Sequence, residues 1–280
     1  MESKSNSSWL RNVRTRIVIW LRVSGILPWI FTRKLRFEVA LRKLKYRPLE
    51  IPSNAHVLIV CAYYKHPRWV LGMVESIQAQ TFQNWTLMIM DDCSPAPSLK
   101  EVSQVFSNDK RIKTFRVQTN QGAYACRNAC LSLAAELPWT HVTFIDPDDQ
   151  AYPTWLSDSL EFLGSRSGVL RAVLERWDEK FERKNSMNYS HAPSFWTRDV
   201  WEQLGGFLNV RVAADTELLL RAKYFKSKIQ ILKGISIAQR CRVHAGNASR
   251  INLVERKNWL LEQKRRLKQE SRDIRTDETS

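Results

Sequence analysis

Two apolar runs that end abruptly in clustered carboxylates limit what this 280-residue chain can fold into more than any other feature. Thr86 to Met90 leads straight into Asp91-Asp92-Cys93-Ser94-Pro95, and His141 to Ile145 leads into Asp146-Pro147-Asp148-Asp149. Val57 to Val60 is a further β-branched run, long enough for a strand buried on both faces, and Ile112 to Val117 reads as another strand. Between the runs lie helical stretches. Pro67 opens one with Val70, Met73, Val74 and Ile77 on one face, and a second spans Ala123 to Ala135. Cys126 and Cys130 share a face of the second with Leu133 and Ala134, as small buried hydrophobes. Strand alternating with helix predicts an α/β fold: a Rossmann-like, mostly parallel sheet with helices on both faces. Ligands of such sheets bind just beyond the strand C-termini, where both carboxylate clusters stand. After Gly168 the pattern is less regular and predicts shorter strands, with a helix around Asp215 to Phe225. Leu253, Leu260, Leu261 and Leu267 then mark a charged C-terminal helix to about Gln269.

The chain carries a net charge of +16, unevenly distributed. Residues 1–50 hold 12 Lys/Arg against 3 Asp/Glu, whereas residues 51–250 hold 24 against 19. A nucleic-acid binder would concentrate its cations on the folded domain, so the distribution argues against nucleic acid as a partner. In the N-terminal segment Arg11, Arg14, Arg16 and Arg22 alternate with Trp9, Leu10, Ile17 to Leu21 and Val23 to Phe31. These apolar runs fall short of the roughly 20 residues that span a bilayer. Two readings fit: a helix lying on an anionic membrane surface, or a basic helix docked on the main domain. Pro28 and Pro48 would interrupt any helix continuous through the segment. The expected organisation is a basic amphipathic extension over 1–52, a main domain over 53–250 and a charged helix or tail over 251–280. The main domain divides into halves at 53–150 and 151–250. Five cysteines without a CxxC pair indicate neither a disulfide framework nor a zinc site. They fit a reducing, cytoplasmic compartment, and the basic, aromatic N-terminus adds the expectation of a peripheral position on the cytosolic face of the membrane. The eleven tryptophans suit either sugar-face stacking or core and interface packing.

Asp146, Asp148 and Asp149 lie within four residues and repel one another unless a cation or a set of donors neutralises them. Hard oxygen ligands of this kind suit Mg²⁺ or Mn²⁺; without such a partner the run is a solvated acidic turn.

Several blocks in order then resemble glycosyltransferase family 2. They are Cys61-Ala62-Tyr63-Tyr64, the helix end Ser76-Ile77-Gln78-Ala79-Gln80-Thr81-Phe82, and Asp91-Asp92-Cys93-Ser94. Asn120-Gln121-Gly122 with Ala125-Cys126-Arg127-Asn128, the DxD-like Asp146-Pro147-Asp148-Asp149, and Gly205-Gly206-Phe207 before Ala214-Asp215-Thr216-Glu217 and Arg221 complete the match. The resemblance covers roughly residues 55–225 and implies a GT-A fold and a metal-dependent, inverting transfer. A sugar would pass from a nucleotide-sugar donor, UDP-linked in preference, to a hydroxyl of a glycan or glycolipid acceptor in surface-polysaccharide assembly. It implies that Tyr63 stacks on the base and Asp92 accepts its ring NH. Asp146 and Asp148 would meet the donor. Asp148 and Asp149 would hold Mn²⁺ or Mg²⁺, with Asp149 the preferred direct ligand and His244 an additional one, unless His244 is a loop residue with no catalytic task. Arg127 would bind the donor near a helix N-terminus or pair with a strand-end aspartate. Asp215 would be the general base, with Glu217 its rival; both would otherwise be helix N-terminal acids. Two departures stand out: Tyr64 replaces the usual Asn, and Ala214 replaces the acid that often precedes the base. The alternatives are an inactive GT-A scaffold and a basic nucleic-acid-binding protein. Acceptor selectivity is expected between Gly168 and Leu208, where Trp177, Trp196 and Trp201 occur.

Overall fold

The computed structural model describes residues 26–65, 67–96, 98–189, 191, 193–224, 229–244, 246 and 253–277. The expectations for the segment from Trp9 to Leu21 lie outside the described residues.

Four strands build the first half of the sheet: β1 (Val57–Tyr63), β2 (Trp85–Asp91), β3 (Ile112–Arg116) and β4 (His141–Phe144). They pair in parallel in the order β3-β2-β1-β4. Every residue of β1 and β2 is buried, as near-continuous apolar runs require when both faces are covered. The two faces take alternate residues. Val57, Ile59, Cys61 and Tyr63 pack against α2 (Pro67–Gln78) and α5 (Trp155–Leu163). Leu58, Val60 and Ala62 pack against α4 (Ala123–Leu133), α6 (Arg198–Leu204) and α7 (Ala214–Tyr224). A short helix, α3 (Leu99–Val102), and a 3-10 turn (Ser103–Phe106) close the edge near β2 and β3. The chain runs outward from β1 to β3 and then returns to β4 on the other side of β1. That reversal makes a switch point between β1 and β4, where a crevice forms.

The second half adds β5 (Gln150–Ala151), β6 (Val169–Trp177), β7 (Lys184–Tyr189), β8 (Phe195–Thr197) and β9 (Ile231–Arg242). β8 is antiparallel to β4 and to β6, β9 runs parallel to β6, β5 is antiparallel to β9, and β7 pairs with β6. The expectation of shorter strands here holds for β7 and β8, of 6 and 3 residues, but not for β9 and β6, of 12 and 9. Their length was hidden by Arg171, Glu175 and Arg176, and by Lys233, Arg240 and Arg242, which break the apolar pattern. Register shifts between β6 and β9 break the alternation as well.

Leu133 also departs from expectation: it is 55% exposed, while Cys126, Cys130 and Ala134 are buried. The last turn of α4 tightens, with the Ala134 amide reaching both Cys130 O at 2.9 Å and Leu131 O at 3.2 Å. Tightening rotates Leu133 outward, and Leu131 joins the core.

Two further helices flank this body. α1 (Ile26–Lys45) packs Leu35 and Val39 against Val173 and Met187, and Thr32 Oγ1 accepts the Met187 amide at 3.0 Å. Pro28 stands in its first turn, where proline is tolerated. α8 (Leu253–Asp277) lies against α7 and continues past the expected end at Gln269.

Candidate active site

Beyond β1 and β4 lies a cleft of about 380 Å³, lined by Tyr64, Asp146, Asp148, Asp149, Asp215 and His244 among others. Its acidic end is the turn after β4. The Ile145 amide still bonds to Val60 O at 3.2 Å, and the Asp149 amide closes the turn on Asp146 O at 3.1 Å. Asp146 is 49% exposed and pairs with the buried Arg127 guanidinium. Of the two roles open to Arg127, the structure displays the ion pair with a strand-end aspartate. The same guanidinium lies 5.3 Å from the Tyr124 ring centroid and 5.6 Å from that of Phe144, so Arg127 is clamped behind Asp146 on an aromatic floor.

Asp148 and Asp149 are both buried but face different partners. Asp148 Oδ2 is 2.9 Å from His244 Nε2. Asp149 Oδ1 accepts the Arg242 amide at 2.8 Å, and the Arg242 Nε donates to Asp148 O at 3.0 Å. These contacts arise because β5 pairs with β9 in the register Gln150↔Arg240, which brings residues 242–244 alongside 148–149. The His244 ring sits 4.8 Å from Trp69. Burial, reinforced by Asp146, raises the Asp148 carboxyl above its ordinary range, while the His244 hydrogen bond opposes the rise. Burial, with Asp148 and Asp146 adding to it, raises Asp149 further.

A divalent cation would relieve that repulsion. Asp148 and His244 could supply one oxygen and one nitrogen ligand, 2.9 Å apart. Among the described residues no group of three or more possible ligands occurs. Two protein ligands completed by substrate phosphates are nevertheless the usual way such ions are held, so the residues fit the metal. Asp149, expected as the preferred ligand, is turned instead to the end of β9.

Across the cleft stands Asp215, in the first turn of α7. Ala213, two residues before it, holds φ +65°, a left-handed conformation uncommon for an L residue. Tyr124 Oη donates to Asp215 Oδ1 at 2.9 Å. Burial and the neighbouring carboxylate push the Tyr124 hydroxyl up, so it remains a protonated donor to Asp215. Glu217 is placed differently. It is fully buried and takes Arg221 Nε on both oxygens, at 2.8 and 3.0 Å. Arg221 in turn donates to Leu204 O and Gly206 O. Two residues along a helix turn a side chain by about 200°, so only one of the pair can face the cleft, and it is Asp215. The Gly205-Gly206-Phe207 turn is also gripped by Asn128, which bonds Phe207 O at 2.8 Å and the Phe207 amide at 3.1 Å. A Cβ on Gly206, at φ +78°, would stand 3.0 Å from Asn128 Oδ1.

Tyr63 requires a correction. It is 0% exposed, inside the layer under α2, and burial first, then Asp91, pushes its hydroxyl up to about 12. Alternation on β1 sends Tyr63 to the core and leaves Tyr64 lining the cleft, so the ring available to a base is that of Tyr64. Asp92 is buried too, and both its oxygens are engaged. Oδ1 takes the Gln121 amide at 2.7 Å, and Oδ2 takes the Gly122 amide at 2.8 Å and Asn120 Nδ2 at 2.9 Å. Gly122 holds φ +92° to make this turn. Asp92 thus anchors the loop that launches α4.

Trp196 and Trp201 are core residues. Trp201 lies 5.3 Å from Phe144 and 5.2 Å from Phe207, and Trp177 donates its Nε1 to Glu175 at 3.1 Å. None of the three lines the cleft. The stretch in which they occur contributes Leu174, Arg176, Asn188, His191 and Pro193 instead. Sequence reasoning missed Arg176, His191, Arg211, Arg242 and Arg256, which carry no motif. Tyr64 was signalled only as a departure from the family pattern.

Residues 57–227 match the family model described as glycosyl transferase family 2. An uncharacterized glycosyltransferase of Haemophilus influenzae is 36% identical over 107 residues, 38% of this chain and 42% of that one. The putative teichuronic acid biosynthesis glycosyltransferase TuaG of Bacillus subtilis is 30% identical over 111 residues, 40% of this chain and 43% of that one. The putative colanic acid biosynthesis glycosyl transferase WcaA of Escherichia coli is 30% identical over 105 residues, 38% of this chain and 37% of that one. The chain thus spans less than half the length of these relatives. Among solved structures, S. aureus TarS in complex with UDP-GlcNAc superposes with a TM-score of 0.60 at 16% identity, covering 74% of this chain and 66% of that one. Mannosyltransferase PcManGT from Pyrobaculum calidifontis, in complex with GDP-Man and Mn²⁺, gives 0.59 at 14%, covering 89% and 74%. At these identities the likeness is one of fold.

Proposed function

The chain belongs to glycosyltransferase family 2 and has the GT-A fold, and on that premise we propose that it transfers a sugar from a nucleotide-sugar to an acceptor hydroxyl with inversion. The observation that carries the proposal is the pairing of Asp148–His244 with Asp215 across one cleft. The donor lies against the acidic end. Asp146, oriented by Arg127, takes donor hydroxyls, and Tyr64 offers its ring to the base. Asp148 and His244 would hold Mn²⁺ or Mg²⁺, and that ion would supply positive charge to offset the charge of the diphosphate. Asp215 receives the proton of the acceptor hydroxyl while that oxygen forms its bond to the anomeric carbon. The bond from that carbon to the diphosphate breaks, and the nucleoside diphosphate leaves with the electron pair. Attack opposite the leaving group inverts the centre. The relatives named for teichuronic and colanic acid support a glycan or glycolipid acceptor in surface-polysaccharide assembly.

The test is titration of the purified protein with UDP and then GDP, with and without Mn²⁺. Micromolar binding that needs the metal is the expected result. If neither nucleotide binds with or without metal, the donor site is lost and the inactive-scaffold reading takes its place.

A peripheral position on the cytosolic membrane face is part of the proposal. Among the described residues no helix is long and apolar enough to cross a membrane. α1 instead has two apolar faces. Leu35 and Val39 face the sheet, while Phe37 and Leu44 lie on the opposite side at 66% and 77% exposure, and Leu41, 47% exposed, stands at the edge beside Phe162 and Ile235. Arg33 and Lys34 flank this outer stripe. Such a face suits an anionic bilayer surface. In cosedimentation, phosphatidylglycerol-containing vesicles are expected to bind the protein and pure phosphatidylcholine vesicles are not. Leu41→Glu with Leu44→Glu should lower binding by about tenfold or more, from the loss of two buried leucines. Unchanged binding by the double variant would remove α1 as the contact.

A further inference from the structure

The cleft also carries a group of basic side chains that the transfer chemistry described above leaves unused. Arg176 near the end of β6, Arg256 near the start of α8 and His191 just after β7 line the cleft together with Asp215. Arg256, Arg176, Arg171 and Asp215 all act electrostatically on the one His191 imidazole, which burial in the first place drives toward its neutral form. The other cleft arginines are committed elsewhere. Arg127 is paired with Asp146, Arg211 donates to Asn120 Oδ1 at 2.9 Å, and Arg242 is tied to the Asp148 and Glu179 carbonyls. Among the described residues, neither Arg176 nor Arg256 has a side-chain hydrogen bond or ion pair, and both are only partly exposed.

Arg176 and Arg256 surround His191, on which Asp215 is the one carboxylate that acts, and so place positive charge beside the proposed base. A neutral sugar would make no use of it, whereas guanidinium forks bind phosphate and carboxylate oxygens in pairs. The donor diphosphate belongs with Asp148 and His244; Arg176 stands opposite Cys241 in the β6–β9 register, one residue from the Arg242 amide that holds Asp149, so UDP affinity is what separates an acceptor anion from the diphosphate. Resting on the transferase reading above, we infer that Arg176 and Arg256 bind an anionic group, a phosphate or a carboxylate, carried by the acceptor next to the hydroxyl that reacts. Acceptors of this kind are phosphorylated or uronic-acid-containing glycans and lipid-linked phosphates.

The experiment compares methyl glucoside, glucose 6-phosphate and methyl glucuronide as probes, by NMR titration of protein saturated with UDP and Mg²⁺. At least one charged probe is expected to bind about tenfold tighter than the neutral one, as charge-assisted hydrogen bonds allow. Which charged probe wins separates phosphate from carboxylate. Arg176→Gln and Arg256→Gln should each abolish the preference and leave UDP affinity within about twofold, a change smaller than one such hydrogen bond confers. Arg176→Lys and Arg256→Lys keep the charge and should retain part of the preference, which guards against a variant that merely misfolds. Equal binding of all three probes overturns the inference. So does a loss of UDP affinity in the Gln variants, which would assign both arginines to the diphosphate. The titrations are repeated without nucleotide, so a wild-type protein that ignores UDP and GDP counts against the transferase reading while the charge preference is still measured.

Discussion

Asp215→Asn is expected to lower the transfer rate by about 10²–10⁴-fold, the usual contribution of a positioned general base. Metal-dependent nucleotide binding should be unchanged in this variant. The separation follows from placement, because Asp215 faces the cleft from α7 while the residues proposed to meet the donor stand on the turn after β4. Asn keeps the shape and still accepts from Tyr124 Oη, so only the capacity to take a proton is removed. Glu217→Ala should behave in the opposite way. It strands Arg221, whose other donors hold Leu204 O and Gly206 O, and removes one half of a buried ion pair. The expected cost is about 3 kcal/mol of stability, read by denaturant unfolding, with the rate of the folded fraction near wild type. Equal loss of rate in both variants, with stability intact in each, would contradict the division of roles between them.

Asp148→Asn should cost about 10²-fold or more in nucleotide affinity measured with Mn²⁺ and should abolish the difference between titrations with and without the metal. Metal-free thermal stability should not fall, because one of three mutually repelling carboxylates is neutralised. Asp149→Asn is expected to retain the metal effect, since its amide oxygen can still accept from the Arg242 amide. If Asp149→Asn were the variant that lost metal dependence, the assignment of Asp148 and His244 as the ligand pair would be wrong.

Both predictions rest on residues whose existence was plain in the chain and whose neighbours were not. The strands β1, β2 and β4 could be read directly, because a strand buried on both faces must be a nearly unbroken apolar run. For the same reason the carboxylates that terminate two of them could be placed at the mouth of a parallel sheet. The ordered blocks from Val57 to Arg221 carried the family. Strands β6 and β9 were obscured because Arg and Lys side chains, and the buried Glu175 that Tyr152, Trp177 and Lys184 satisfy, interrupt their apolar pattern.

By itself, then, the sequence determined the fold class, the family and the carboxylates at the end of β4 that line the cleft. These depend on local propensity and on short runs of neighbouring residues. Tertiary structure alone decided that Tyr64 rather than Tyr63 and Asp215 rather than Glu217 line the cleft, and that Asp148 rather than Asp149 meets His244. Each pair lies one or two residues apart, so the face each member presents depends on what packs against it. It also decided that His244 reaches Asp148, 96 positions away, and that Arg176, His191 and Arg256 meet beside Asp215. Such meetings are set by strand register and helix docking, which neither charge nor spacing along a chain encodes at short range.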